Sequence, residues 1–156
     1  MSDSTQVVSF KLGPEEYGVD IAQVQEINRM VTVTNVPRAP AFMEGVINLR
    51  GQLIPIIDLR TRFGMPRAEH TKNTRIVVTE VGTKRVGMVV DSVSEVLRLP
   101  LDAIEPAPDM ISGVDTEYIR GVGKMNDRLI ILLDLAKVVT NSERRDLEAA
   151  DVESAA

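Results

Sequence analysis

Cysteine is absent from the chain. Disulfides and thiolate chemistry are therefore excluded, and a reducing, cytoplasmic setting is the expectation. Aromatic residues are only 3% of the total, too few for the stacking platforms that hold single-stranded nucleic acid. Positive charge is also in deficit. Lys and Arg number 18 against 23 Asp and Glu, for a net charge of −5, which argues against a nucleic-acid face. The longest apolar run is LIILL at 129–133, far short of the roughly 20 residues of a membrane helix. The opening MSDSTQ is polar and acidic, so neither a signal peptide nor direct membrane insertion is expected.

Histidine occurs once, as His70 beside Glu69 and Thr71 in a polar stretch. A Ser–His–Asp triad needs a buried, oriented base, and zinc wants cysteines or several histidines. Glycines are scattered singly, without a phosphate-cradling pattern. Glu15 and Glu16 fall in a turn and read as solvated. No enzyme activity, metal or cofactor is expected. What remains is a scaffold that presents surfaces.

What is present is strand signal. Residues 7–12, VVSFKL, alternate apolar and polar, and GPEE turns the chain back into YGVDI. Asp20 and Gln23 have capping-box spacing, and Ile21, Val24 and Ile27 could line one face of a short helix. APAFMEG reads as a one-turn helix with Pro40 near its start and Gly45 past its end. LIPIIDL is apolar on both faces and belongs in a core, with Asp58 capping a helix over LRTRF. TRIVVTEV and KRVGMVV form a hairpin around Gly82–Thr83. A proline-rich connection over 97–115 leads to another hairpin at 118–135, and helix formers follow from Leu135. Residues 150–156 form a tail expected to fray. Short strands broken by Gly and Pro favour small β-barrels.

The chain repeats itself. GVINLRGQLIPIIDL at 45–59 returns as GVGKMNDRLIILLDL at 121–135, an offset of 76 residues. At an offset of 69, Gly18, Val24 and Glu26 meet Gly87, Val93 and Glu95. Two lobes of roughly 70 residues, related by duplication, would each be marginal alone and should share an apolar seam. The turn tips differ. LRGQ places Gly51 where a positive φ is needed, whereas MNDR carries Asn126 and Asp127 there. Arg50 thus sits on a turn in one lobe only, and Glu26 is its candidate partner.

EEYGVDIAQVQEI, GVINLRGQLIPIIDLR, VGMVVDSVSEVL, PAP and TEYIRGVGKMNDRLIILLDL together resemble the bacterial chemotaxis coupling protein family, the CheW-like adaptors, over about residues 6–140. The resemblance implies a mainly β fold: two SH3-like five-stranded β-barrels sharing a hydrophobic core, with strands exchanged, short helices and a C-terminal helix. One domain over 1–156 would be built of two intertwined lobes, roughly the first-half and second-half hairpins. It implies a non-catalytic adaptor that couples chemoreceptor cytoplasmic tips, helical hairpin bundles, to the regulatory domain of the chemotaxis histidine kinase. An adaptor of the same fold in another kinase pathway, such as surface motility, is the alternative. A small-molecule-binding barrel or an enzyme is the reading from a different class. Carried over residue by residue, Val24, Glu26 and Arg50 match coupling positions, with Ile21, Ile27 and Val89 as apolar walls of a groove between the lobes. Gly51, Gly87 and Gly121 read as structural turn residues, positions set by the backbone and not contacts. The loop Glu105–Met110 is the expected kinase contact, with Glu105 where some relatives carry a cation. Without a receiver domain in 156 residues, a free coupler is expected.

Overall fold

The computed structural model describes residues 3–38, 43–66, 68–81, 83–106, 118–125 and 127–138. Among the described residues, eleven strands form two sheets. The first sheet contains β1 (Ser4–Leu12), β2 (Glu15–Asp20), β8 (Ser92–Pro100), β9 (Ile104–Glu105), β10 (Ile119–Met125) and β11 (Arg128–Leu133), in the order β8-β1-β2-β11-β10-β9. The second contains β3 (Val24–Arg29), β4 (Met43–Leu49), β5 (Gln52–Asp58), β6 (Arg75–Val81) and β7 (Lys84–Val90), in the order β3-β6-β7-β5-β4. Among the described residues, two short helical segments, α1 (Leu59–Arg62) and α2 (Leu135–Val138), each follow the second strand of a repeated hairpin.

Each sheet curls shut by the same device. After β3 the chain bends until Thr34 exchanges both backbone hydrogen bonds with Val46 of β4, at 2.8 Å each. After β8 a 3-10 turn, Leu101–Ala103, delivers β9 to β10, pairing Glu105 with Val122. Closure of this kind removes exposed strand edges, which otherwise invite pairing with other chains. The mainly β, two-barrel expectation matches this architecture. The barrels do not divide at the middle of the chain. Hairpin β1–β2 joins the second barrel, where β2 runs parallel to β11 with Tyr17 opposite Ile131. In the first barrel β7 stands in the same relation to β5, with Gly87 opposite Ile56.

Three apolar clusters result. Ile47, Ile54, Ile56, Ile76, Val78 and Val89 fill the first barrel. Val7, Leu97, Leu99, Ile130 and Leu132 fill the second. The largest cluster lies between the sheets and draws on Val8, Phe10, Tyr17, Ile57, Phe63, Val77, Met88, Tyr118, Ile131 and Leu133. The scarce aromatics are concentrated there. Phe10, Tyr17, Phe63 and Tyr118 make a row with successive centroids 6.0, 5.8 and 5.8 Å apart. Burial, with Glu15 nearby, pushes the Tyr17 phenol up to about 12. Arg62 closes the row, its guanidinium 4.7 Å from the Tyr118 ring centre and its Nε donating to the Val138 carbonyl at 2.7 Å.

Three local expectations are corrected. Val24 and Ile27 lie on strand β3, and helix is confined to a single 3-10 turn at Ile21–Gln23 capped by Asp20. Met43–Gly45 belong to strand β4, while residues 39–42 of the expected helix lie outside the described residues. A Cβ on Gly45 would stand 2.1 Å from the Thr34 carbonyl oxygen, so its role is close approach within the closing bridge. The start of the proline-rich connection is also strand, since β8 runs to Pro100. The tail at 150–156 lies outside the described residues.

Candidate functional site at the first barrel tip

Strands β4 and β5 pair through Leu49 and Gln52, which leaves Arg50 and Gly51 as a two-residue turn. Both have positive φ, 52° and 85°, as a type I′ hairpin turn requires. The Asn48 side-chain oxygen accepts from the Gly51 amide at 2.9 Å. Glycine suits such a position, whereas an arginine there is held in a left-handed conformation that side chains resist. The Arg50 side chain is 70% exposed and reaches back to strand β3. Its Nη1 donates to Glu26 Oε1 at 3.3 Å, and its Nη2 bonds Glu26 Oε2. Asn28 donates to the same carboxylate at 2.9 Å. These bonds, Arg50 first, hold the Glu26 carboxyl below the usual range, and Glu26 raises the arginine in return.

A bulge aims Glu26. Val24 pairs with Thr79 and Glu26 with the very next partner, Val78, so Gln25 is the extra residue. Val24 and Ile27 then share the outer face of the sheet with Val77 and Thr79, while Glu26 and Asn28 share the inner face with Val78 and Ile76. The inner face ends at the barrel mouth. Arg50 spans that mouth to Glu26, and beside it Arg85 Nη1 bonds Gln52 Oε1.

The remaining expected residues fall in different places. Val24 packs partly buried against the central seam. Ile21 and Ile27 are exposed, at 37% and 40%. Val89 is not on the surface. It is 5% exposed inside the first barrel, because strand β7 is apolar on both faces and its alternate residues point inward. Gly87 and Gly121 are not turn residues: they lie within strands β7 and β10, where a neighbouring segment approaches too closely for a side chain. A Cβ on Gly87 would lie 2.5 Å from Ile56 Cδ1, and one on Gly121 would lie 2.8 Å from the Glu105 oxygen. Glu105 is exposed and pairs with Lys124 at 3.0 Å. Met110 lies outside the described residues.

Two polar clusters went unnoticed in the sequence. Arg128 at the second barrel donates to Glu16 from Nε at 3.1 Å and from Nη2 at 2.5 Å, and stands 3.8 Å from Glu95. The duplication could have found it, since Glu95 is the counterpart of Glu26, and Glu16 and Arg128 are the counterparts of Arg85 and Gln52. Burial raises the Glu16 carboxyl, but Arg128 and Ser9 together bring it below the usual range. The second cluster joins the lobes. Asp91 accepts from Arg60 Nε at 2.8 Å and Nη2 at 2.5 Å, and from the Gly13 amide at 2.8 Å. No spacing announces it, because its members come from a helix and two turns far apart in the chain.

Two closed barrels locked by one seam, with an ion-paired tip on the first, define a double-barrel scaffold. The CheW-like domain family matches residues 6–143, and the chain belongs to that family. It is similar to the chemotaxis protein CheW of Klebsiella aerogenes, 44% identical over 86% of this chain and 81% of that one. It is also similar to the chemotaxis protein CheW of Bacillus subtilis, 32% identical over 86% of each. Among solved structures, the scaffolding protein TtCheW from Thermoanaerobacter tengcongensis superposes with a TM-score of 0.83 at 36% identity, covering 92% of both chains. These relatives do not favour the surface-motility alternative.

Proposed function

We propose that this chemotaxis coupling adaptor takes the cytoplasmic tip of a chemoreceptor along strand β3 and the Arg50 turn, and docks the regulatory domain of the chemotaxis histidine kinase at a barrel end. The adaptor works without catalysis, in the cytoplasm, and reaches the membrane only through its partners. The carrying observation is Arg50 itself. It occupies a left-handed turn position where its duplicate has Asn126, and the strained residue makes a two-pronged bond to Glu26. Backbone strain retained at an exposed tip points to a partner surface. Ile27 on the outer face supplies an apolar anchor for an amphipathic helix. Glu105, exposed and paired with Lys124 on the second barrel, is our candidate for the kinase contact.

Charge reversal tests this reading. Glu26→Lys and Arg50→Glu are each expected to leave the melting temperature nearly intact, because exposed pairs contribute little to folding, yet to weaken receptor-dependent kinase activation. The double reversal restores part of the loss if the pair acts through its mutual contact. Normal activation in both single variants would refute the assignment.

A further inference from the structure

Strand β3 ends on Arg29, directly opposite Arg75 at the start of β6. Like charges facing each other across an antiparallel pair destabilise it. Lys72 adds a third cation in the adjoining turn, and the three line one open pocket with Met30, Thr71 and Thr74. Among the described residues none of the three has a carboxylate within ion-pair distance. Arg75 is oriented instead by backbone oxygens, its Nη1 donating to Lys72 at 2.8 Å and Thr74 at 2.9 Å. In a chain of net charge −5, three cations at one strand end without a carboxylate partner among the described residues form a local exception.

We infer that Arg29, Lys72 and Arg75 form an acid-recognising extension of the receptor surface, which selects a carboxylate on the receptor helix about one turn beyond its apolar anchor. The inference rests on the proposed receptor role of β3. Arg29 lies on the same outer face as Ile27, two residues on. Strand rise puts them about 7 Å apart, and a helix lying along the strand covers that distance in four to five residues. An apolar side chain over Ile27 therefore places a residue one turn away between the cations. Charge complementarity makes that residue Asp or Glu, since guanidinium forks match carboxylates. Electrostatic recognition of this type sets partner choice and association rate.

The test uses the full chain and the cytoplasmic fragment of its receptor. Arg29→Glu combined with Lys72→Glu is expected to weaken binding about tenfold at low salt and to flatten its salt dependence. Arg29→Glu alone is expected to raise the melting temperature, because it replaces a like-charge opposition with an Arg75 ion pair. Reversing the matching receptor acid to Lys restores affinity for the double variant. Unchanged affinity and salt dependence, while Glu26→Lys still weakens binding, would overturn this inference and leave the receptor reading standing. Unchanged affinity in both variants would overturn both. Loss of binding to phosphatidylserine vesicles, with receptor affinity intact, would reassign the cations to a lipid surface and also overturn it.

Discussion

Arg50 illustrates a conflict between local preference and function. Its φ of 52° is a conformation that Asn and Gly adopt more cheaply than Arg. Arg50→Asn should therefore raise the melting temperature by about 2–4 °C while weakening receptor coupling, because Asn cannot span the barrel mouth to Glu26. A scan that finds stability unchanged or lowered would show that the turn does not strain its arginine. Gly51→Val tests the neighbouring residue in the opposite sense. At φ 85° a β-branched side chain is strongly disfavoured, although the space around a Cβ there is open. The expected loss in melting temperature is thus a pure backbone effect, and an unchanged value would contradict the turn geometry.

At the scale of elements, duplication governs how each barrel closes. Val46 and Val122 are counterparts, and each meets the segment that closes its ring, Thr34 in one barrel and Glu105 in the other. Their neighbours Gly45 and Gly121 leave room for that segment's backbone. Gly45 also has a φ of 148°. Gly45→Ala should destabilise the fold by about 3 kcal/mol, combining strain with overpacking. Denaturant unfolding checks this, and a loss below about 1 kcal/mol would mean that the closing bridge yields easily. The bulge at Gln25 explains why β3 reads as helix in the sequence. It brings Val24 and Ile27, three residues apart, onto one face, and a spacing of three is also the helical signal.

Across the whole molecule, Asp91 latches the lobes through Arg60 of α1 and Gly13 of the β1–β2 turn. The Arg60 bonds hold the Asp91 carboxyl below its usual range, against the partial burial that raises it. A depressed carboxylate stabilises the fold above the unfolded pKa, near 3.9, and loses that contribution as pH falls through the folded value. Asp91→Asn should therefore lower stability at pH 7 by about 1 kcal/mol, a figure discounted for partial exposure. The gap between variant and wild type should close as pH falls below about 4. A gap that persists in acid would assign the latch to shape instead of charge.

The sequence by itself determined the inventory of this protein. Cysteine chemistry was ruled out, period-two runs marked the strands, and the offsets of 69 and 76 marked two equivalent lobes. It also brought Arg50 and Glu26 together as candidates, because a lone arginine on one of two matching tips is visible without coordinates. Local pattern could not say which way an all-apolar strand faces. Val89 therefore looked like a groove wall and proved to be interior, since strand β7 is buried on both faces and alternation carries no signal there. Only the tertiary structure decided that β1–β2 crosses to the second barrel, that Asp91 joins turns far apart in the chain, and that Arg29 and Arg75 stand opposite each other. Those facts depend on pairing between segments many residues apart. Such pairing is selected by burial of the common seam, a property of the assembled sheets and not of any one segment.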